Sequence, residues 1–320
     1  MATLADIRAK LKEQENRQTG QSTGDNAIYP FWNIKEGDTA VLRFLPDGDG
    51  SNTFFWRERS MIKLPFPGVK GDTESKAVQV QIPCMEMYGE SCPILNEVRG
   101  WFKDSSLEDM GRKYWKKRSY VFQGFVTDDP LNEEVPENPI RRFIIGPQIF
   151  QLIKQALMDP DMEELPTDFT HGIDFRMNKT TKGGYADYST STWARRERAL
   201  SDAEMHAIDT HGLFSLQDFL PKKPTDVEVK IMQEMFESSV DGELYDDEKY
   251  GSYFRPFGLA TKTGDPTPKP VTKKVEEDDV PFETDEPKAK SKASEAPAEP
   301  GSDANANDIL AMIRNRQNKD

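Results

Sequence analysis

From about Tyr29 onward, apolar and polar positions alternate with a period near two over most of the first two thirds of the chain, which is the signature of half-buried strands. DTAVLRFLP predicts a strand that stops at Pro46, with the Asp-Gly pair at 47 and 48 as its turn. FFWRERSMIKL and KAVQVQIPC predict two more. SYVFQGFV is rich in β-branched and aromatic residues, ends in the turn-prone TDDP, and is followed by a short RRFII strand. GIDFRMNKTTKGGYADYSTSTW predicts a hairpin joined at Lys182, Gly183 and Gly184, where glycine tolerates positive φ. The period changes to that of a helix in GPQIFQLIKQALM, where Pro147 sits near the start and Ile149, Leu152, Ile153, Ala156 and Leu157 form one stripe. PTDVEVKIMQEMFES predicts a capped helix after Pro224. The pattern as a whole is α+β and mainly β.

The two ends differ from this middle. Residues 4–18 place Leu4, Ile7 and Leu11 at helical spacing among Arg8, Lys10 and Lys12, which predicts a basic amphipathic arm, and TGQSTGDN after it has linker composition. Beyond Ala260 the composition shifts to Pro, Lys, Glu, Ala and Ser. Too little apolar area is left there to offset chain entropy, so a disordered tail is expected. Within it EEDDVPFETDE (276–286) holds seven acids and no base. The closing NDILAMIRNRQNKD carries Ile309, Met312 and Ile313 for a short docking helix, and its DILAMIR echoes DIRAKLK of the arm. The expected organisation is an arm over 1–28, a core over 29–258 and an acidic tail over 259–320.

Charge changes the picture in one place. The formal net charge is -14. Any binding of phosphates must therefore come from a local patch rather than from the global field. GRKYWKKRSYVFQGFV supplies one: Arg112, Lys113, Lys116, Lys117 and Arg118 fall within eight positions, with Tyr114, Trp115 and Tyr120 between or beside them. Extended from 114, this segment projects Tyr114, Lys116, Arg118 and Tyr120 to one side, with Val121 and Phe125 packing inward. Single-stranded nucleic acid fits such a face, since each nucleotide brings a phosphate and a π-surface, and stacking on an aromatic contributes about 1–3 kcal/mol per base. Arg57, Arg59 and Lys63 on one strand, Arg141, Arg142 and Phe143 on another, and Lys179, Lys182, Tyr185 and Tyr188 around the hairpin can join that surface. No apolar run reaches the roughly 20 residues that span a bilayer, and the N-terminus does not read as a signal peptide, so a soluble intracellular protein is expected. Cys84 and Cys92 make no disulfide framework.

Taken in order, VLRFLP, CMEMYGESCPIL, YWKKRSYVFQGFVTDDP, RRFIIGPQIFQLIKQAL and GIDFRMNKTTKGGYADYSTS resemble the helix-destabilising single-stranded DNA-binding protein of T4-like bacteriophages, over roughly residues 30–240. The resemblance implies an OB-fold core with added helices and an aromatic-lined basic cleft. Lys116, Lys117, Arg118 and Ser119 match the family's basic run with its hydroxyl residue, and Tyr120 the aromatic after it. Phe143 stands where the family has a tyrosine, and Tyr188 matches the aromatic of the hairpin. The resemblance also implies that the arm, through Ile7, Arg8, Leu11 and Lys12, docks on a neighbouring copy and makes binding cooperative. Its acidic tail, with Asp278, Asp279 and Phe282, would contact replication and recombination proteins such as a polymerase, helicase loader or recombinase, and would screen the cleft when DNA is absent. The implied setting is the cytoplasm of an infected bacterial host, in DNA replication, recombination and repair.

Two features depart from the family. Arg8, Lys10, Lys12 and Arg17 are spread among acids rather than clustered. The family's structural zinc is held by one histidine and three cysteines, whereas only Cys84 and Cys92 fit here and Leu95 stands where a cysteine is needed. Loss of the metal is expected, with Ile82, Met85, Met87, Ile94 and Leu95 packing in its place, and hence no cofactor. No enzyme is expected: DDPLNEE and DPDMEE read as solvated loops, and there is no Walker motif, nucleophile elbow or His-Glu metal helix. The alternatives are an RNA-binding protein or scaffold using the same surface, and a metal-dependent nuclease.

Overall fold

The computed structural model describes residues 27–256 and Leu259. The arm, the acidic segment 276–286 and the DILAMIR stretch lie outside the described residues. The described chain is mixed α/β, with a seven-stranded antiparallel sheet and a separate two-stranded ribbon. The strands are β1 Thr39–Leu45, β2 Arg57–Phe66, β3 Val78–Pro83, β4 Lys117–Asp128, β5 Arg141–Ile145, β6 Ile173–Asn178, β7 Thr180–Lys182, β8 Tyr185–Asp187 and β9 Thr192–Glu197. The α-helices are α1 Pro93–Trp101, α2 Glu108–Tyr114, α3 Pro147–Leu157, α4 Asp202–His211, α5 Asp226–Val240 and α6 Asp247–Tyr250. No helix among the described residues is long and apolar enough to cross a membrane. Two compact units interleave along the chain, one from residues up to Ser60 with Lys117–Lys222, the other from Met61–Lys116 with Lys223–Pro256.

In the first unit the strands run β4-β1-β6-β9, with β5 also on β4. β1 and β4 pair antiparallel with Leu42 opposite Val126 and Leu45 opposite Gln123. They come so close at Gly124 that an added Cβ would stand 2.1 Å from the Arg43 carbonyl oxygen. One face carries Phe44, Phe122, Phe143 and Phe175, all fully buried, with the Phe44 and Phe122 rings 4.9 Å apart. Onto it α3 lays Ile149, Phe150 and Ile153; of the predicted stripe Ile149 and Ile153 are buried, Leu152, Ala156 and Leu157 are half-buried, and Phe150 joins from outside it. The other face packs Leu45, Phe125 and Ile140 against Leu200 and Ala207, the latter on α4. Because both faces are covered, β4 is buried without a break from Ser119 to Phe125.

Polar groups fix that second face. Arg43 is fully buried, and its Nη2 donates to the carbonyl oxygens of Asp168 and Arg198, each at 2.7 Å. Its Nη1 reaches Asp174 at 3.4 Å, and Asp174 in turn accepts two bonds from Arg198, at 3.0 and 3.1 Å. Arg198 continues to Glu204 at 2.7 Å, where Ser201 and Glu204 close a capping box on α4. Burial by itself would raise the Glu204 carboxyl, yet the Arg198 bonds hold it below its ordinary value. Gln123, also fully buried, donates to the carbonyls of Pro46 and Phe214 and accepts from the Phe214 N–H.

The second unit pairs the end of β2 with β3, Ile62 opposite Ile82. Its core stacks Trp101 of α1 on Phe236 of α5 at 5.7 Å, with Tyr114 of α2 edge-on to both. Thr225 and Glu228 make the capping box that starts α5, as the sequence pattern predicts. The helices α1, α2 and α4 were not anticipated from the sequence. For α4 the signal was present, since Ser201 and Glu204 have capping-box spacing, but its stripe is weak and only Ala207 is buried.

Replacing Arg43 with Met should lower the unfolding free energy by about 3–5 kcal/mol, because Asp174 and two carbonyls then lose a buried donor. Urea denaturation monitored by tryptophan fluorescence measures this, and a loss within the usual surface range would contradict the assignment.

Candidate nucleic-acid interface

The basic aromatic segment divides at Lys116 and Lys117, where one compact unit gives way to the other. Its first half is helical rather than extended. Tyr114 is the last residue of α2, 2% exposed, with its hydroxyl 3.0 Å from Ser239 Oγ. The expected alternation from Tyr114 to Tyr120 therefore does not exist. A helical turn through 108–114 brings Glu108 to Arg112 at 2.6 Å and drives the tyrosine ring into the Trp101–Phe236 stack. Lys113 lies 5.6 Å from the Tyr114 ring, and Trp115 is buried edge-on to Phe102. Lys116 pairs with Glu86 at 2.8 Å, so its charge is already answered.

The second half is a strand, but its aromatic goes inward. Tyr120 is 4% exposed and stacks on Phe150, with centroids 3.5 Å apart and planes 10° from parallel. Val121 and Phe125 point into the other layer, as expected, so each face of β4 is apolar and alternation cannot separate solvent from core. Ser119 is buried, while Lys117 and Arg118 are half-buried at the start of the strand. Phe143 and Tyr188 are both fully buried in the aromatic cluster, which corrects their expected place as accessible cleft residues. Arg142 is buried too, with its guanidinium 3.6 Å over the Phe219 ring, and burial brings its pKa down to about 10. Arg57 is held by Asp47 at 3.3 Å and Asp49 at 2.7 Å, and Arg59 is buried.

What the structure leaves in solvent is the long hairpin. β6 and β9 pair at its root, with Phe175 opposite Trp193 and Arg176 opposite Thr192. β7 and β8 form the tip, closed by Gly183 and Gly184 at φ 63° and 85°. A two-residue turn with both central residues at positive φ matches the right-handed twist of the strands and explains the glycine pair. Lys182 and Tyr185 flank that turn, and Tyr185 is 61% exposed. Arg176, Arg195 and Arg196 are exposed at the root, on β6 and β9 of the main sheet, and with Lys182 they make no ion pair among the described residues. Of these, Lys182 and Tyr185 were anticipated. Arg176 could have been found, since it alternates with the buried Phe175 and Met177, and the Arg195–Arg196 pair sits in a strand that no turn signal announced. Phe54 is a second exposed aromatic that sequence reasoning passed over, lying against Trp56 at 4.7 Å.

Both cysteines are free thiols. Cys84 and Cys92 are both fully buried and unoxidised. Proximity to Cys84 holds the Cys92 thiol below its ordinary value, while the same neighbour and burial push Cys84 up. Leu95 is fully buried at the position where a cysteine ligand would be needed, and among the described residues no three His, Cys, Asp or Glu side chains group closely enough to hold a metal. Ile82, Met85 and Ile94 pack around the pair, and Met87 is half-buried. The acids of DDPLNEE serve their own loop: Asp129 accepts from Tyr29 at 2.6 Å and from the N–H groups of Leu131 and Glu133, and Glu133 pairs with Arg141 at 2.9 Å.

No protein-family model matches the chain, and no curated protein matches it.

Two substitutions separate core from surface. Tyr120→Ala should cost about 3–5 kcal/mol of stability in the absence of any ligand, and Tyr185→Ala should stay within about 0.5 kcal/mol, both read from urea midpoints. Elemental analysis of the purified protein should find well below one equivalent of zinc.

Proposed function

We propose that the chain binds single-stranded DNA without strong sequence preference and coats it during DNA replication, recombination and repair. The observation that carries this reading is the hairpin: four exposed cations, none with a carboxylate at ion-pair distance among the described residues, run from its root to the tip where Tyr185 stands exposed, on a chain whose net charge is -14. Electrostatics alone would drive phosphates away from such a chain, so cations left unpaired in one place favour a local anionic ligand. Arg176, Lys182, Arg195 and Arg196 contact phosphates, and Tyr185 offers its ring to a base. The antiparallel β4-β1-β6-β9 arrangement supports an OB-type core of the T4-like phage kind, and the in-order motifs support membership of that family. Partner proteins of replication and recombination engage the acidic tail, and the arm mediates self-association.

Tryptophan fluorescence titration with single-stranded DNA, duplex DNA and RNA across a salt series tests the reading. Single strands should bind most tightly. Changing Arg176, Lys182, Arg195 and Arg196 together to Ala should flatten the log-log salt slope by about 3, since each neutralised phosphate contributes about 0.7 on a single strand. Tyr185→Ala should weaken binding roughly 5- to 150-fold, the equivalent of one lost stacking contact. Preference for duplex, or affinity that does not respond to salt, would overturn the proposal.

A further inference from the structure

Outside the hairpin, the first unit exposes another aromatic ring, Phe54, in the loop between β1 and β2. It is 56% exposed, although the buried Phe55 and the half-buried Trp56 follow it directly. One face of its ring lies against Trp56, with centroids 4.7 Å apart and planes 32° from parallel, which leaves the opposite face to solvent. Trp56 is in turn fixed by the core, 5.3 Å from Phe150 and 5.9 Å from Phe122.

Polar bonds, rather than burial, hold that loop. Asn52 accepts from the Phe54 N–H at 3.2 Å, and it donates to the Trp56 carbonyl oxygen at 3.1 Å and to Asp47 at 2.8 Å. Asp47 has an almost wholly buried carboxylate, which also accepts from the N–H groups of Asp49 and Leu216. A ring placed in water by a preorganised loop loses little further freedom when it meets a flat partner. Arg57, the residue after Trp56, is already held by Asp47 and Asp49. The loop therefore offers a π-surface and not a phosphate clamp.

The aromatic layer of the sheet joins this loop to the hairpin. Phe122 lies 4.9 Å from Phe44, and Phe44 lies 5.9 Å from Trp193 of β9, the strand of Arg195 and Arg196. Trp56 and Trp193 are both half-buried and packed against that layer.

We propose that Phe54, backed by Trp56, is a second base-stacking position for the single strand that the hairpin cations hold, an assignment that rests on the single-strand reading above. Phosphates are met at the hairpin, and a base further along the strand covers the open face of Phe54. Stacking needs a base but no particular one, so the position adds affinity without sequence preference.

Fluorescence titration of the full chain with oligothymidylate, and with a strand of the same length that lacks bases, tests this. Phe54→Leu keeps an apolar cover on Trp56 and removes the π-face. It should weaken oligothymidylate binding roughly 5- to 150-fold, while Phe54→Trp retains the affinity. The log-log salt slope should stay as in the unaltered chain, because no phosphate contact is lost. Affinity for the baseless strand and the urea midpoint should not change with Phe54→Leu. The assignment is overturned if Phe54→Leu weakens both strands alike, flattens the slope, or lowers the urea midpoint beyond the usual surface range. It is also overturned, with the single-strand reading intact, if Phe54→Leu binds oligothymidylate like the unaltered chain while the fourfold hairpin Ala variant binds weakly. A chain that binds neither strand overturns both.

Discussion

The guanidinium of Arg43 is the group around which the first unit is arranged. A cation with no exposed surface costs several kcal/mol to desolvate, which acceptors on the two Nη groups of Arg43 offset in part while its Nε stays buried without a hydrogen-bond partner. Here two backbone carbonyls and one carboxylate converge on it, and each comes from a different stretch of chain: Asp168 from the loop before β6, Asp174 from β6 itself, Arg198 from just after β9. Satisfying Arg43 thus pins both strands of the hairpin at their root. The geometry also dictates a residue type. At Gly172 a Cβ would lie 2.5 Å from Arg43 Nη2 and 2.4 Å from the Asp168 carbonyl oxygen, so a side chain there would displace the acceptors. Arg198 passes the constraint on to Glu204 and the first turn of α4. The tip of the hairpin is tied differently, with Asp187 accepting from Gln148 at 2.6 Å and the Thr181 N–H donating to Glu36 at 3.2 Å.

That difference between root and tip sorts the aromatic and basic residues. The aromatic rings that the sequence intersperses with cations stack on one another: Tyr120 on Phe150, Tyr188 edge-on to Phe31, Phe143 edge-on to Phe44. An aromatic ring buries a large apolar area, and a nearby ring adds about 0.5–1.5 kcal/mol to that. Where the interior could close around a tyrosine it has done so. Cations near those rings are answered in place, Arg142 by Phe219 and Arg57 by two aspartates. On the hairpin, by contrast, Arg176, Lys182, Arg195, Arg196 and Tyr185 remain in solvent.

Local pattern was enough for β1, α3, α5 and the glycine turn, because each carries its own signal: alternation ended by a proline, an apolar stripe behind Pro147, a capping box, a Gly-Gly pair. It was not enough for β4. A strand covered on both faces reads as a continuous apolar run, so Tyr120 and Val121 look equally fit for exposure and both are buried. The helical turn before it was hidden by the appeal of a basic aromatic alternation that spans two different elements. The interleaving of two compact units was not legible either, since it depends on which distant segments pair. Of the candidate site, Lys182 and Tyr185 were visible as neighbours of a turn, whereas Arg195 and Arg196 acquire meaning only once β9 is paired with β6.

Charge distribution then becomes a structural statement. The cations of the 112–118 run looked decisive because they are dense in sequence, yet Arg112 and Lys116 are each answered by a glutamate. Density along the chain is a poor guide to potential in space when acids from other segments fold beside it. The ribbon cations are sparser in sequence and richer in effect, since no carboxylate has been brought within ion-pair distance of them among the described residues. On an acidic chain, cations gathered along one hairpin with no carboxylate at ion-pair distance among the described residues raise the local attraction for anions there. Field strength at that ribbon, rather than the composition of any one segment, is what a phosphate backbone would sense.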